Sequence, residues 1–266
     1  MNLEAITPLL ITYNEEANLT RTLKALAWAK QIVVIDSFST DQTLPLLRKD
    51  PRVLIFQRTF DSFAQQCSYG VEKVSTPWVL SLDADYIVSK ALVEEFRSIE
   101  DSDEIEAYEI SFRLLIHGRI LKASLYPPRI VFFRKGSIRY ENDGHGHRAV
   151  ALDRHSALRS PIIHDDRKPM SRWLKSQKGY ASQEAQKITS SPFKNLPFQD
   201  KLRALMVPAP FAVIVYCLLV KGLLFEGVSG WVYTAQRAFV ECLLSGKILM
   251  RHLKNLGFSK RHLESS

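Results

Sequence analysis

The sequence predicts an α/β protein, a mixed sheet flanked by helices, followed by an apolar helical hairpin near its C-terminal end. Three observations predict it. Over the first hundred residues, apolar runs of strand length alternate with stretches of helical period, the pattern of a parallel sheet with right-handed crossovers. Polar clusters containing acids close three of those strands, where sheets of this kind bind ligands. Residues 205–220 then run sixteen long without a charge.

The elements follow in order. Residues 6–12 form an apolar strand with Pro8 near its start. The loop 14–18 leads into a helix over 17–29, with Leu19, Leu23, Leu26 and Ala27 on one face. Residues 31–35 are β-branched after Gln31, which predicts a central parallel strand ending at Asp36. A polar loop, a helix over 43–49, a strand over 52–57, a helix over 62–73 and a strand over 78–82 complete the alternation. A helix over 91–99 follows, then strands over 107–115, 130–134 and 138–140, and a helix over 171–188 capped by Ser171. The boundaries predict a catalytic domain over 1–190, a Pro-containing linker over 191–203 and a helical tail over 204–266.

The chain has 266 residues, 46% hydrophobic and 24% charged, a globular composition. Its net charge of +8 fits an anionic partner such as a membrane surface, a phosphorylated substrate or a nucleic acid. Cys67, Cys217 and Cys242 are widely spaced, which fits a reducing compartment and no disulfide framework.

The chemistry centres on Asp83-Ala84-Asp85, at the end of the strand that starts at Trp78. On an extended chain both carboxylates project to one side. Side by side they repel, and a divalent cation removes that cost; oxygen ligands suit Mg²⁺ or Mn²⁺, with substrate phosphates completing the shell. Tyr13-Asn14-Glu15 and Asp36 sit at two further strand ends, so three polar clusters converge on one edge.

Residues 11–16 (ITYNEE), 33–41 (VVIDSFSTD) and 80–85 (LSLDAD) resemble the three motifs of family 2 inverting glycosyltransferases. Residues 60–66 and 126–136 are similar to the lipopolysaccharide-core glucosyltransferase-like branch, and the resemblance covers roughly residues 5–185. It implies the GT-A (Rossmann-like) fold and a nucleotide-sugar donor, a UDP-hexose. It places Thr12, Asn14, Glu15 and Asp36 around base and ribose, with Asp83 nearby, and gives Asp85 the metal that bridges the diphosphate. It also implies His164 as an additional metal ligand and a general base in the 143–148 region. Relatives carry His-Glu there; in this chain the acid is Asp143, with His145 as the second candidate. Cys67-Ser68 stands where relatives carry Lys-Asn. His145 and His147 with their flanking glycines lack further ligands at zinc spacing.

A span of the bilayer wants about 20 apolar residues, a length the uncharged run reaches when residues 221–225 are counted. An amphipathic helix follows, with Val228, Trp231, Val232, Ala235, Phe239, Cys242 and Leu243 on its apolar face. Membrane contact at the cytoplasmic face of the inner membrane is therefore expected, spanning or interfacial, over a helical hairpin packed on the catalytic domain. The branch resembled, together with this apolar tail, implies a lipid-linked or cell-envelope glycan or glycolipid acceptor. Two alternatives stand beside the transferase. A nucleotidyltransferase would carry a Gly-rich, basic first loop, which is absent. A non-catalytic basic membrane-associated protein or nucleic-acid binder would not need acids at three strand ends, so no nucleic-acid partner is expected.

Overall fold

In the computed structural model the described residues are 1–100, 104–143 and 146–255, with the backbone alone described at 143, 146, 147 and 255. They fall into two compact units, one of Met1–Ile120 with Ser124–Lys168, the other of Leu121–Ala123 with the residues from Pro169 on.

The first unit opens with the predicted alternation: β1 (Ile6–Thr12), α1 (Glu16–Ala25), β2 (Ile32–Asp36), α2 (Thr43–Leu47), β3 (Val53–Gln57), α3 (Phe63–Lys73) and β4 (Trp78–Asp83). It continues through β5 (Tyr86–Ile87), α4 (Lys90–Ser98), β6 (Ala107–Ile110), β7 (Phe112–Ile116), β8 (Arg119–Ile120) and β9 (Arg129–Arg134). It closes with β10 (Ile138–Asp143), β11 (Gly146–Ala151), β12 (His155–Ala157) and β13 (Ile162–His164). Seven strands make the main sheet in the order β12-β6-β9-β4-β1-β2-β3. β1 pairs in parallel with β2 and β4, and β2 with β3, while β9 runs antiparallel to β4 and β6. This is the mixed, parallel-rich α/β arrangement that the sequence predicted.

Every residue of β1 and β2 is buried, as expected of strands covered on both faces. Alternation divides their side chains between two apolar layers. Leu10 and Val34 join Leu19, Leu23, Leu26, Trp78, Leu80, Phe96 and Phe132 on one face. Leu9, Ile11, Val33 and Ile35 join Cys67, Val79 and Phe133 on the other. Gly70 lets α3 lie close to the second layer, since a Cβ there would stand 2.5 and 2.8 Å from the Leu9 methyls.

Two expectations are corrected. The strand expected over 107–115 breaks at Ser111: β6 joins the main sheet, and β7 joins a small sheet ordered β5-β13-β7-β8. Both pieces carry the same alternation, so the break is invisible in the pattern. The D-x-D segment is not extended throughout, because Ala84 and Asp85 form a turn between β4 and β5. The alternation argument therefore holds only as far as Asp83.

The second unit is helical: α5 (Met170–Ser190), α6 (Phe198–Ala204), α7 (Pro208–Val215) and α8 (Gly227–Asn255). α5, α6 and α7 all pack on α8; Ala181, Ala185 and Ile188 of α5, with Leu196, meet Leu244 and Ile248 of α8 in one apolar cluster. Arg203 ties α6 to α8 through Glu241 at 2.9 Å, and to Asp200 at 3.3 Å. α5 starts at Met170, with Pro169 rather than the expected Ser171 at its cap position and no side-chain cap bond, and residues expected as linker carry a 3₁₀ turn (Phe193–Asn195) and α6. The uncharged run is not one helix. It forms α7 and, directly continuing it, a π turn (Tyr216–Val220), and the helical course ends at Gly222, whose φ of 67° is left-handed. Among the described residues no helix is long and apolar enough to cross a membrane, so of the two expected modes of membrane contact the spanning one is not supported.

Candidate active site

The site forms where the strand order switches side in the sheet: β2 and β3 lie on one side of β1, β4 on the other. A crevice at the carboxyl ends follows from that topology. Register places Thr12 beside Asp36 and Ile11 beside Asp83, so the three predicted clusters do meet.

Asp36, the last residue of β2, is fully buried. Its Oδ1 accepts from the Thr12 hydroxyl at 3.1 Å and from the Ser39 hydroxyl. Its Oδ2 accepts from the Ser39 backbone N–H at 2.9 Å and from Gln57 Nε2 at 3.2 Å. A carboxylate so engaged fixes the loop after β2. That loop is stitched to the one after β1. The Asn14 N–H donates to Ser39 Oγ at 2.8 Å, the Thr40 N–H to Asn14 Oδ1 at 2.7 Å, and the Glu15 N–H to Thr43 Oγ1 at 2.7 Å. Asn14 and Phe38 both hold left-handed backbone, φ 55° and 59°. Asparagine tolerates that region and phenylalanine does not, and such strain collects at functional sites.

Glu15 is buried, and its carboxylate accepts from Asn18 Nδ2 at 3.0 Å and pairs with the Lys168 ammonium. Burial raises its pKa to about 7, against the opposing pull of Lys168. For Lys168 burial acts downward, but the Glu15 and Asp85 carboxylates outweigh it and hold the ammonium charged. Sequence reasoning read the 162–169 cluster for His164 and gave Lys168 no role; its partner Glu15 is distant in the chain, so no local pattern signals the pair.

Asp85 and His164 meet because β13 pairs antiparallel with β5, His164 opposite Tyr86. His164 Nε2 lies 3.1 Å from Asp85 Oδ2. Burial opposes the charge on each, but their mutual attraction wins, holding the Asp85 pKa below and the His164 pKa above the ordinary value. Tyr86 and Tyr126 stand edge-on to the imidazole, centroids 5.3 and 5.4 Å away, and their hydroxyls share a 2.5 Å hydrogen bond.

A clamp that the sequence did not reveal holds this arrangement to α1. The Arg21 guanidinium bonds the Asp165 carboxylate, and its Nη2 also donates to the Asp165 carbonyl at 3.1 Å and to Asn18 Oδ1 at 2.9 Å. Asn18 Nδ2 donates to Asp166 Oδ1 at 3.0 Å, and the Arg167 N–H to Asn18 Oδ1 at 2.9 Å. The Asp165 N–H donates to the Asp85 carbonyl at 3.0 Å.

Two atoms of the site are buried with no hydrogen-bond partner, Asp85 Oδ1 and His164 Nδ1. A buried orphan carboxylate oxygen is costly, and it is a free ligand atom for a cation. Among the described residues no three of His, Cys, Asp and Glu gather as a metal centre. The donor set is therefore one carboxylate and one imidazole, which fits a divalent ion taking its remaining ligands from substrate phosphate and water. The structure does not bring Asp83 into that set; it ends β4, half-buried. Of the two base candidates, Asp143 ends β10 opposite Gly146 in a hairpin, and its side chain is not among those described; His145 lies outside the described residues.

The chain is 25% identical over 252 residues to the lipopolysaccharide core biosynthesis glycosyltransferase LpsC of Rhizobium meliloti, covering 91% of each. It is 29% identical over 130 residues to an uncharacterized glycosyltransferase of Rickettsia conorii, covering 47% of this chain and 45% of that one. The fold is similar to that of S. aureus TarS solved with UDP, with a TM-score of 0.50 at 13% identity over 96% of this chain and 93% of that one. The family model described as glycosyl transferase family 2 matches residues 9–152, more than half of the chain and all three strand-end clusters. The chain belongs to glycosyl transferase family 2.

Proposed function

We propose that this glycosyltransferase moves a hexose with inversion from a UDP-hexose to a lipid-linked or cell-envelope glycan, at the cytoplasmic face of the inner membrane. The single observation that carries the reading is the convergence of two stitched loops, after β1 and β2, with the Asp85–His164 pair at one crevice. The name of the R. meliloti relative supports an acceptor of the lipopolysaccharide-core kind, and the UDP in TarS supports the donor nucleotide. Family membership removes the nucleotidyltransferase and non-catalytic alternatives.

The first loop and Asp36 shape the nucleoside pocket. In this reading Thr12, Asn14, Glu15 and Asp36 border the base and ribose, with Asp83 nearby. Carboxylate and amide oxygens there accept from ribose hydroxyls and a base N–H. Asp85 and His164 would hold Mg²⁺ or Mn²⁺, whose charge offsets that of the diphosphate leaving group. Lys168, held charged beside Glu15 and Asp85, adds a protein cation at the same end. A base takes the acceptor hydroxyl's proton on the face opposite the nucleotide; Asp143 fills that role in this reading, with His145 second.

The test is turnover by the purified full-length chain on a panel of nucleotide-sugars, with Mg²⁺, Mn²⁺ or chelator. Hydrolysis or transfer of a UDP-hexose is expected, lost in chelator and in Asp85→Ala while circular dichroism is unchanged. Turnover of no nucleotide-sugar would sink the function; full activity of Asp85→Ala, or of wild type in chelator, would remove the metal assignment alone.

A further inference from the structure

The second unit wears many of its apolar residues outward. Alongside Tyr233, Leu244 and Ile248, α8 buries Ser229, Thr234 and Glu241, and it turns Val228, Trp231 and Ala235 to solvent. A surface helix in water keeps its apolar stripe on the core and its polar residues outside. The π turn after α7 continues the pattern: Phe211 and Val215 of α7 and Leu219 of the turn recur every fourth residue and are all exposed. The 3₁₀ turn that precedes α8 (Leu223–Phe225) ends in Phe225, 83% exposed, with Val228 at 76%. Single exposed apolar residues need no explanation, but a run of this kind marks an interaction surface.

Charge identifies the occupant. Residues 169–255 carry twelve lysines and arginines against four acids, a surplus of eight equal to that of the whole chain. The rest of the chain is therefore neutral in sum, and the basic character belongs to the unit with the exposed apolar residues. Lys221, over the Tyr216 ring at 5.6 Å, sits inside the apolar segment itself. A second copy of this chain would set like charge against like. An anionic phospholipid surface satisfies both features, apolar residues entering the acyl boundary and lysines meeting headgroups.

We infer that the α7–α8 face, with Phe211, Val215, Leu219, Phe225, Val228 and Trp231, docks in the plane of an anionic phospholipid bilayer without crossing it. α7 and the π turn that continues it have thirteen residues, about 20 Å of helix, against about 30 Å of hydrocarbon. α8 is long enough, but Arg237, Glu241, Lys247 and Arg251 punctuate it. In-plane binding is the mode left to such helices. The inference rests on the reading of a lipid-linked acceptor, because it brings the enzyme to the surface where such an acceptor lies.

The experiment is co-sedimentation of the full-length chain with vesicles of phosphatidylglycerol and phosphatidylethanolamine, and with phosphatidylcholine vesicles, at low and high salt. Wild type is expected to bind the anionic vesicles at least tenfold more tightly than the neutral ones, and more weakly in salt. Phe225→Glu/Val228→Glu is expected to lose at least tenfold in vesicle affinity while UDP-hexose hydrolysis in detergent-free buffer is unchanged. Both positions are exposed, so folding is not at risk; circular dichroism checks it. Absence of vesicle binding by wild type, equal binding by the double variant, or a wild-type dimer that the variant dissolves with no vesicle binding, would each overturn the inference. Failure of hydrolysis in both proteins, with vesicle binding intact, would strike the donor reading and leave the docking surface standing.

Discussion

The pair formed by Glu15 and Lys168 makes stability depend on pH in a direction opposite to that of most carboxylates. Burial raises the Glu15 pKa from 4.5 to about 7 in the folded chain. Between those values the folded state keeps a proton that the unfolded chain has released, so stability falls as pH rises. One pKa unit corresponds to about 1.36 kcal/mol, and the shift therefore to about 3 kcal/mol lost from pH 4 to pH 8. The residue is only 8% exposed, so solvent screening takes little from this figure. The assay is urea unfolding in a Trp173→Phe/Trp231→Phe background, which leaves Trp28 and Trp78, both in the first unit, as the reporters. Wild type and Glu15→Gln are compared at intervals across that range. Their difference in unfolding free energy is expected to fall by about 3 kcal/mol, steepest between pH 5 and 7. Parallel curves, or a difference that grows with pH, would refute the argument that burial outweighs Lys168 at this carboxylate.

Three further outcomes are expected. Asp36→Ala leaves the Thr12 and Ser39 donors without their acceptor, and calorimetry should show UDP affinity at least about tenfold weaker, the effect of about 1.4 kcal/mol. Asp143→Asn should lower the transfer rate by about a hundredfold or more with donor affinity kept; normal transfer there with collapse in His145→Ala would move the base to His145. Gly70→Ala gains about 1 kcal/mol of helix propensity but forces the Leu9 methyls aside, and overpacking of about 1–3 kcal/mol should leave it destabilised in urea unfolding. If Gly70→Ala unfolds later than wild type, α3 is not held as close to the sheet as the contacts imply.

The sequence by itself determined the parts of this protein that depend on short-range pattern. Apolar runs of strand length alternating with helical periods are a local property, and β1 to β4 appear where the pattern puts them, as do α1 to α4 within a few residues. The acids at strand ends were equally legible, because parallel topology carries each strand end to one edge of the sheet. Contacts between distant segments were not legible. His164 reaches Asp85 only because β13 pairs with β5, and Lys168 reaches Glu15 from the far end of the first unit. The turn at Ala84–Asp85 and the break at Ser111 were also hidden, since alternation looks the same on both sides of a register change. In the second unit the sequence marked the apolar stripe of α8 but not its direction. A helical stripe faces whatever its neighbours leave open, and the packing of α5, α6 and α7 on α8 decided that Val228 and Trp231 face outward.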